Sequence, residues 1–167
     1  METALVIVIE DAGPFDGVRG EFAVEAVASG VPFHITLLYP FAPATEAVVA
    51  ETRAFFAERP ALEFELTRVA AWPRVVYAVP EPDVELRECM HDLFERFPES
   101  PPYGGIHDEV IPHATLGEEV DGPAVRDEIE RRLEPHLPRR CQARDVALLE
   151  EFAPGRWRER ERFPFAA

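Results

Sequence analysis

The apolar positions of the chain fall into short strand-like runs and longer helical stripes. Residues 5–10 form an apolar, β-branched run that predicts a buried strand. Residues 62–71 alternate apolar with polar side chains, which is typical of a half-buried strand, and residues 75–79 form a second strand beside it. Residues 84–97 place apolar side chains at helical spacing. The other predicted strands are residues 31–41, 110–117, 143–152 and 156–165, and the other predicted helices are 20–29, 46–58 and 123–137.

The order of these elements indicates the fold class. Strand, turn, helix and hairpin recur in two halves of the chain, and most strand connections are of the antiparallel type. This order favours an α+β architecture with helices packed outside an antiparallel sheet. No stretch is rich enough in glycine or serine to separate independent domains, so we predict a single domain over residues 1–167 with internal pseudo-symmetry.

Two of the predicted strands carry the same motif, His-x-Thr-Leu, at residues 34–37 and 113–116. A proline closely precedes each copy, and the matched pair is far more specific than either copy alone. Side chains two positions apart on a strand point to the same face. Each histidine therefore projects together with its threonine, and the intervening residues point into a core. The predicted catalytic residues are His34, Thr36, His113 and Thr115.

These side chains suit phosphodiester chemistry if the two strands lie close together. Of two histidines that titrate near neutrality, one can accept a proton while the other donates one. The threonine hydroxyls can donate hydrogen bonds to non-bridging phosphate oxygens, where charge accumulates in the transition state. This arrangement requires no metal ion and no cofactor. The alternative is that both histidines are core residues with hydrogen bonds inside their strands.

The composition restricts the class of binding partner and the cellular compartment that we expect. The chain has 32 acidic and 17 basic residues, a net charge of −15, which disfavours a large footprint on duplex DNA. It therefore favours a small nucleotide or a short RNA end. No apolar run approaches the roughly 20 residues of a membrane helix, and the N-terminus predicts a strand rather than a secretion signal. With two cysteines at no paired spacing, we expect a reducing cytoplasm. A monomer is favoured, and the sequence leaves the oligomeric state open.

The two His-x-Thr strands, about 80 residues apart, resemble those of the 2H phosphoesterase superfamily, and in particular bacterial 2′-5′ RNA ligase-like proteins (RNA 2′,3′-cyclic phosphodiesterases). The resemblance extends over nearly the whole chain, including the opening strand, the loop at residues 102–105 and the closing hairpin. It implies a bilobal fold of two related lobes with the active site in a central cleft. It also implies that the family's catalytic positions correspond to His34, Thr36, His113 and Thr115.

Other residues are weaker candidates. Tyr103, on a proline- and glycine-rich loop, is a candidate for stacking on a nucleobase, and Phe41, at the end of the first motif strand, is a candidate for lining the pocket. Strict alternation places Tyr39 in the core. His107 has no metal-ligand spacing around it, so we predict no metal site there.

Four alternate arginines on the last predicted strand should share one face of the sheet. They form either a groove for a nucleic-acid backbone or, as we favour, a solvated face paired with neighbouring acids such as Glu150 and Glu151. These arginines are Arg156, Arg158, Arg160 and Arg162.

The leading hypothesis is a metal-independent phosphodiesterase that opens 2′,3′-cyclic phosphates of RNA ends or small nucleotides. By microscopic reversibility, the same site can join RNA ends through a 2′-5′ linkage. The alternatives are a non-catalytic nucleotide-binding module in the same cleft and a phosphodiesterase for another cyclic phosphate, such as an ADP-ribose derivative. A metallohydrolase is the last of these alternatives. The sequence leaves open which histidine is the general base.

Overall fold

The computed structural model describes residues 1–105 and 109–167, in which one sheet is covered by helices. The strands are β1 (Thr3–Val8), β2 (His34–Leu38), β3 (Leu62–Trp72), β4 (Val75–Glu81), β5 (Ala114–Glu118), β6 (Arg139–Ala143), β7 (Asp145–Ala153) and β8 (Arg156–Pro164). The helices are α1 (Gly13–Phe22), α2 (Val24–Ala28), α3 (Glu46–Ala57), α4 (Val84–Arg96) and α5 (Gly122–Leu133). Short 3₁₀ turns lie at Pro102–Gly105 and Glu134–His136.

Most predicted elements occur within a few residues of their expected positions, but the segment after β1 differs. A single helix was expected at residues 20–29, and the structure has α1 from Gly13 and then the short α2. Pro14 lies in the first turn of α1, where its missing N–H has no intrahelical partner to lose. The strand β6 was not predicted, because it is a polar edge strand that pairs only with β3.

The eight strands form one sheet in the order β6-β3-β4-β5-β2-β1-β7-β8. Among the described residues, each of the seven pairings between neighbouring strands is antiparallel. The predicted α+β class with an antiparallel sheet is therefore confirmed. The order of the strands in the sheet differs from their order along the chain. Strands β3 and β4 lie on the β5 side of the sheet, whereas β7 and β8, from the C-terminal part of the chain, lie on the β1 side.

Helices α1, α3, α4 and α5 cover one face of this sheet and bury the main core. Each contributes apolar side chains, among them Phe15 from α1, Phe56 from α3, Leu93 from α4 and Ile129 from α5. The opposite face carries a second, smaller cluster formed by Ala4, Val6, Ala147 and Leu149. Among the described residues, the helices are all too short or too polar to cross a lipid bilayer.

Candidate active site

The two His-x-Thr strands meet at the centre of the sheet. Strand β2 pairs with β5 at a single position, where Ile35 lies opposite Ala114, and both side chains are fully buried on the helix-covered face. In an antiparallel pair, residues on either side of an opposed position also face each other. The four candidate catalytic side chains therefore share the other face of the sheet, with His34 opposite Thr115 and Thr36 opposite His113.

The imidazoles have a defined tautomer. Nδ1 of His34 lies 2.7 Å from the carbonyl oxygen of Pro32, and Nδ1 of His113 lies 2.7 Å from that of Ile111. A carbonyl oxygen only accepts hydrogen bonds, so Nδ1 carries the proton and donates in both rings. In the neutral form, Nε2 of each ring then keeps its lone pair. For His34 this nitrogen lies 3.1 Å from Oγ1 of Thr36, whose hydroxyl donates to it.

Both histidines are harder to protonate than a histidine in water. Burial lowers the pKa of His34 to about 4, against a smaller opposing effect of its hydrogen bond to Pro32, and the charges of Arg19 and His113 lower it further. Burial also lowers the pKa of His113.

Arg19 places a buried positive charge beside this pair. It is only 5% exposed, and its guanidinium donates to the carbonyl oxygen of Val31 at 2.7 Å and to Asp16 at 3.1 Å. Sequence reasoning missed Arg19 because the start of α1 was expected to be a turn. An arginine among apolar positions at helical spacing was the only available signal.

The ring of His113 is held by two aromatic residues, Trp72 from β3 and Tyr77 from β4. Its centroid is 4.9 Å from that of Trp72 and 5.7 Å from that of Tyr77, both at steep interplanar angles. The rings of Trp72 and Tyr77 in turn lie 4.2 Å apart. These edge contacts restrict the imidazole to a narrow range of orientations.

Tyr103 lies between the two motifs. Its hydroxyl is hydrogen-bonded to Thr36, its backbone N–H donates to the carbonyl oxygen of Tyr39 at 2.6 Å, and its side chain borders the cavity beside His113. Burial raises the pKa of Tyr103, so its phenol remains protonated at neutral pH. The loop residue singled out from the sequence is thus adjacent to the candidate catalytic groups, and its contact with substrate stays a prediction.

Tyr39 departs from strict alternation. The register between β1 and β2 shifts so that Val6 faces Thr36 while Leu5 faces Leu38, which leaves Leu37 as an extra residue. This bulge reverses the phase of the strand after Thr36. Tyr39 consequently lies on the same face as His34 and lines its cavity, whereas the sequence placed it in the core.

Phe41 lies elsewhere. It is 7% exposed, belongs to the main core and contacts the ring of Phe97 edge-on at a centroid distance of 5.0 Å. The chain leaves the sheet after Leu38, and the backbone N–H of Phe41 bonds to the carbonyl oxygen of Thr3. The expectation that Phe41 lines the pocket is therefore wrong, because the ring turns toward α4.

Two cavities flank the histidine pair. One, of about 410 Å³, is bordered by His113, Tyr103, Trp72 and Ile111. The other, of about 530 Å³, contains His34 and Thr36 on one wall. Both lie within the size range of small-molecule sites, roughly 300–1,000 Å³.

The arginines of β8 do not form one stripe. The register between β7 and β8 shifts where Leu148 faces Glu161 and Leu149 faces Glu159, so the intervening residue of β8 is extra. Arg158 then shares a face with the core residue Leu148, and Arg162 lies on the opposite one. The expected common face is therefore wrong.

The charges of these arginines are instead matched by nearby acids. Arg158 and Arg160 both pair with Glu150, at 3.2 and 2.8 Å, and Arg162 contacts Asp145 at 2.9 Å. Arg156 lies over the ring of Phe152. These contacts agree with the favoured interpretation of a solvated, paired surface rather than a nucleic-acid groove.

Potential metal ligands occur in the described residues at one exposed group on α4, His91, Asp92 and Glu95. His91 pairs with Glu95 at 3.2 Å and Asp92 with Arg59, so the ligand atoms are already engaged. None of the three lines a cavity of the histidine pair. His107 lies outside the described residues.

Comparisons with known proteins agree with this arrangement. The model of a family described as the 2′-5′ RNA ligase superfamily matches residues 10–152, which include both motifs. No curated protein matches the chain in sequence.

Among solved structures, a phosphoesterase is similar with a TM-score of 0.65 at 18% identity, over 99% of each chain. Escherichia coli LigT in complex with 3′-AMP has a TM-score of 0.61 at 17% identity, over 99% of this chain and 98% of LigT. The protein TT0787 of Thermus thermophilus has a TM-score of 0.55 at 17% identity, with the same coverage. At these identities, the structural likeness establishes a shared fold.

Proposed function

Because the chain belongs to the 2′-5′ RNA ligase superfamily, we propose that it is a metal-independent phosphodiesterase that opens 2′,3′-cyclic phosphates on small nucleotides or RNA ends. Membership confirms the resemblance to 2H phosphoesterases and supports phosphoesterase activity in general. The observation that carries the finer proposal is the antiparallel pairing of Ile35 with Ala114, which makes each histidine face the threonine of the other motif.

In the proposed reaction, one imidazole accepts a proton from water through Nε2 as the water oxygen attacks phosphorus. The bond from phosphorus to a ribose oxygen breaks on the opposite side, and the second imidazole donates its Nε2 proton to that oxygen. The Nδ1 bonds to Pro32 and Ile111 direct both Nε2 atoms to the open face of the sheet, where that of His34 becomes available when the Thr36 hydroxyl turns to the phosphate. Atoms and protons balance without a metal ion.

The threonine hydroxyls and the buried cation are suited to the phosphate. Thr115 can donate to a non-bridging oxygen, and Thr36 can do so when its hydroxyl turns from Nε2 of His34 to the phosphate. The positive charge of Arg19 favours an anion at this position, within a protein whose net charge is −15. A bound phosphate also favours the protonated form of one imidazole, which burial by itself disfavours.

The test is ³¹P NMR of a nucleoside 2′,3′-cyclic phosphate incubated with the protein in excess chelator. We expect the cyclic signal to convert to that of a single monophosphate regioisomer. Activity that disappears with the chelator and returns with a divalent metal would contradict the metal-independent mechanism. Tight binding of the nucleotide with no conversion would instead indicate the non-catalytic binding module.

The pH dependence of kcat/KM follows from the titration of the histidine pair. The reaction needs one protonated and one neutral imidazole, so activity falls when both are protonated, below the pKa of His34 at about 4. It also falls when both are neutral, above the pKa of His113, which burial holds below its usual 6.5. We expect a bell-shaped profile with its maximum at acidic pH.

Replacing Arg19 tests whether protonation of His34 causes the loss of activity on the acidic side of the pH profile. In Arg19→Gln, removal of the positive charge eases protonation of His34, so the acidic limb moves to higher pH while the basic limb stays. Circular dichroism at each pH separates this shift from unfolding. A profile that rises to a plateau above pH 7 would contradict the two-histidine mechanism.

A further inference from the structure

The cavity beside His34 has a composition that phosphate chemistry does not explain. It has a volume of about 530 Å³ and extends from His34 and Thr36 across the sheet to Tyr39 and Trp157. Its rim contains two acidic residues, Glu25 from α2 and Glu118 from the end of β5. The cavity is thus much larger than a phosphate group, and its aromatic and acidic side chains are not those expected of a phosphate site.

Aromatic rings form one end of this cavity. The centroids of Tyr39 and Trp157 lie 6.1 Å apart with a tilt of 58°, and both rings pack on the small apolar cluster of the sheet face. Such faces bind planar heterocycles by stacking, and this accounts for the binding of unpaired nucleobases in many RNA-binding sites.

Trp157 is held firmly in place. Its backbone N–H donates to the carbonyl oxygen of Ser29 at 2.8 Å, and a Cβ on Gly30 would lie 2.7 Å from the carbonyl oxygen of Trp157. This close approach, and a φ of +92°, require glycine at position 30. The backbone that carries the indole ring is therefore fixed before a ligand binds.

The two carboxylates have unused acceptor capacity. Within the part of the chain that the structure describes, neither the carboxylate of Glu25 nor that of Glu118 has a hydrogen bond or an ion pair. The carboxylate of Glu118 is under the influence of the positive charge of Arg19 and of the negative charges of Glu119 and Glu25. Both are exposed, so a ligand in the cavity can reach their oxygens. Two carboxylates that only accept hydrogen bonds favour a neutral group that donates them.

We propose that this cavity is a nucleobase pocket selective for guanine, with the base stacked on Trp157 beside the tilted ring of Tyr39 and its edge donating to Glu118. Among the four RNA bases, guanine presents two adjacent donors, N1–H and the N2 amino group, which match the two oxygens of one carboxylate. The phosphate of the same nucleotide lies at His34 and Thr36, which border the cavity. The inference rests on the proposed function, since it names the base carried by the cyclic phosphate substrate.

The kinetic test compares 2′,3′-cyclic GMP, IMP, AMP and CMP as substrates. We expect kcat/KM for the guanine nucleotide to exceed that for the adenine nucleotide by about tenfold or more, as bidentate recognition of a base gives. Inosine, which lacks the N2 amino group, should lie between them. In Glu118→Gln the guanine preference should largely disappear, because the amide offers one acceptor in place of two. Equal rates for all four substrates in the unmodified protein would overturn the proposal.

The matched control is Glu119→Gln, which removes a neighbouring carboxylate that pairs with Arg74 at 2.8 Å and does not line the cavity. This variant should keep the full preference for guanine. If it loses the preference as Glu118→Gln does, the effect comes from general charge and the proposal is wrong.

A binding measurement separates this inference from the proposed reaction. Calorimetry with guanosine 3′-monophosphate and adenosine 3′-monophosphate needs no turnover, and we expect the guanine nucleotide to bind about tenfold more tightly. Trp157→Ala should weaken both nucleotides, and Glu118→Gln only the first. Guanine preference in binding without any hydrolysis would support the guanine pocket and contradict the proposed phosphodiesterase activity. Hydrolysis with no base preference in either measurement would support the phosphodiesterase activity and contradict the guanine pocket.

Discussion

Replacement of either His34 or His113 by alanine is expected to lower kcat/KM for a 2′,3′-cyclic nucleotide by about 10²–10⁴-fold, the usual contribution of a general acid or base. Each variant removes one of the two Nε2 atoms that the Nδ1 bonds direct to the open face. Because the two groups act in one step, the double variant should be only slightly less active than either single variant.

A sharper version of this experiment uses asparagine. In His34→Asn the amide nitrogen occupies nearly the place of Nδ1 and can still donate to the carbonyl oxygen of Pro32, so the local structure is kept and only Nε2 is removed. The loss should match that of His34→Ala. His91→Ala, on the exposed face of α4, serves as the control and should keep full activity. Near-normal activity in His34→Asn would exclude His34 from the chemistry.

Gly122→Ala is expected to lower the free energy of unfolding by on the order of 3 kcal/mol, at the upper end of the usual cost of forcing extra volume into a packed site. A Cβ at this position would overlap the carbonyl oxygen of Trp72 and lie 2.9 Å from that of Val75. Neither backbone oxygen can move without displacing the turn between β3 and β4. The start of α5 would have to shift away from the sheet.

The same substitution should reduce activity, because Trp72 contacts the ring of His113 edge-on. Gly17→Ala is the matched control, since Gly17 lies within α1 and an added Cβ there would meet nothing within 4 Å. At this position alanine should raise the free energy of unfolding by about 0.5–1 kcal/mol through its higher helix propensity. Chemical denaturation measures both variants, and equal stabilities would contradict the close packing at Gly122.

The fold class and the four motif residues were accessible from the sequence because each depends on local periodicity. The period of two in a strand places His34 with Thr36 and His113 with Thr115, whatever the rest of the chain does. Buried strands and amphipathic helices leave similarly local patterns, and α3, β3 and α4 occur within two residues of their predicted limits.

Several site residues were not accessible because small local irregularities decide them. One extra residue at Leu37 turns Tyr39 to the open face, and one in β8 divides the arginines between two faces. A bulge of one residue changes no composition and little hydrophobicity, yet it reverses every side chain that follows. Strict alternation therefore failed for Tyr39 and for Arg162.

The sequence by itself determined the identity of the catalytic candidates and the class of chemistry, since side-chain type and strand phase are local properties. Only the tertiary structure decided that the two motifs are opposed across β2 and β5, that Trp72, Trp157 and Glu118 line the cavities beside them, and that the charge of Arg19 acts on His34. These four residues come from four separate elements of the chain. Their approach depends on strand order and helix packing, which result from burial of one shared core and leave no trace in the spacing along the chain.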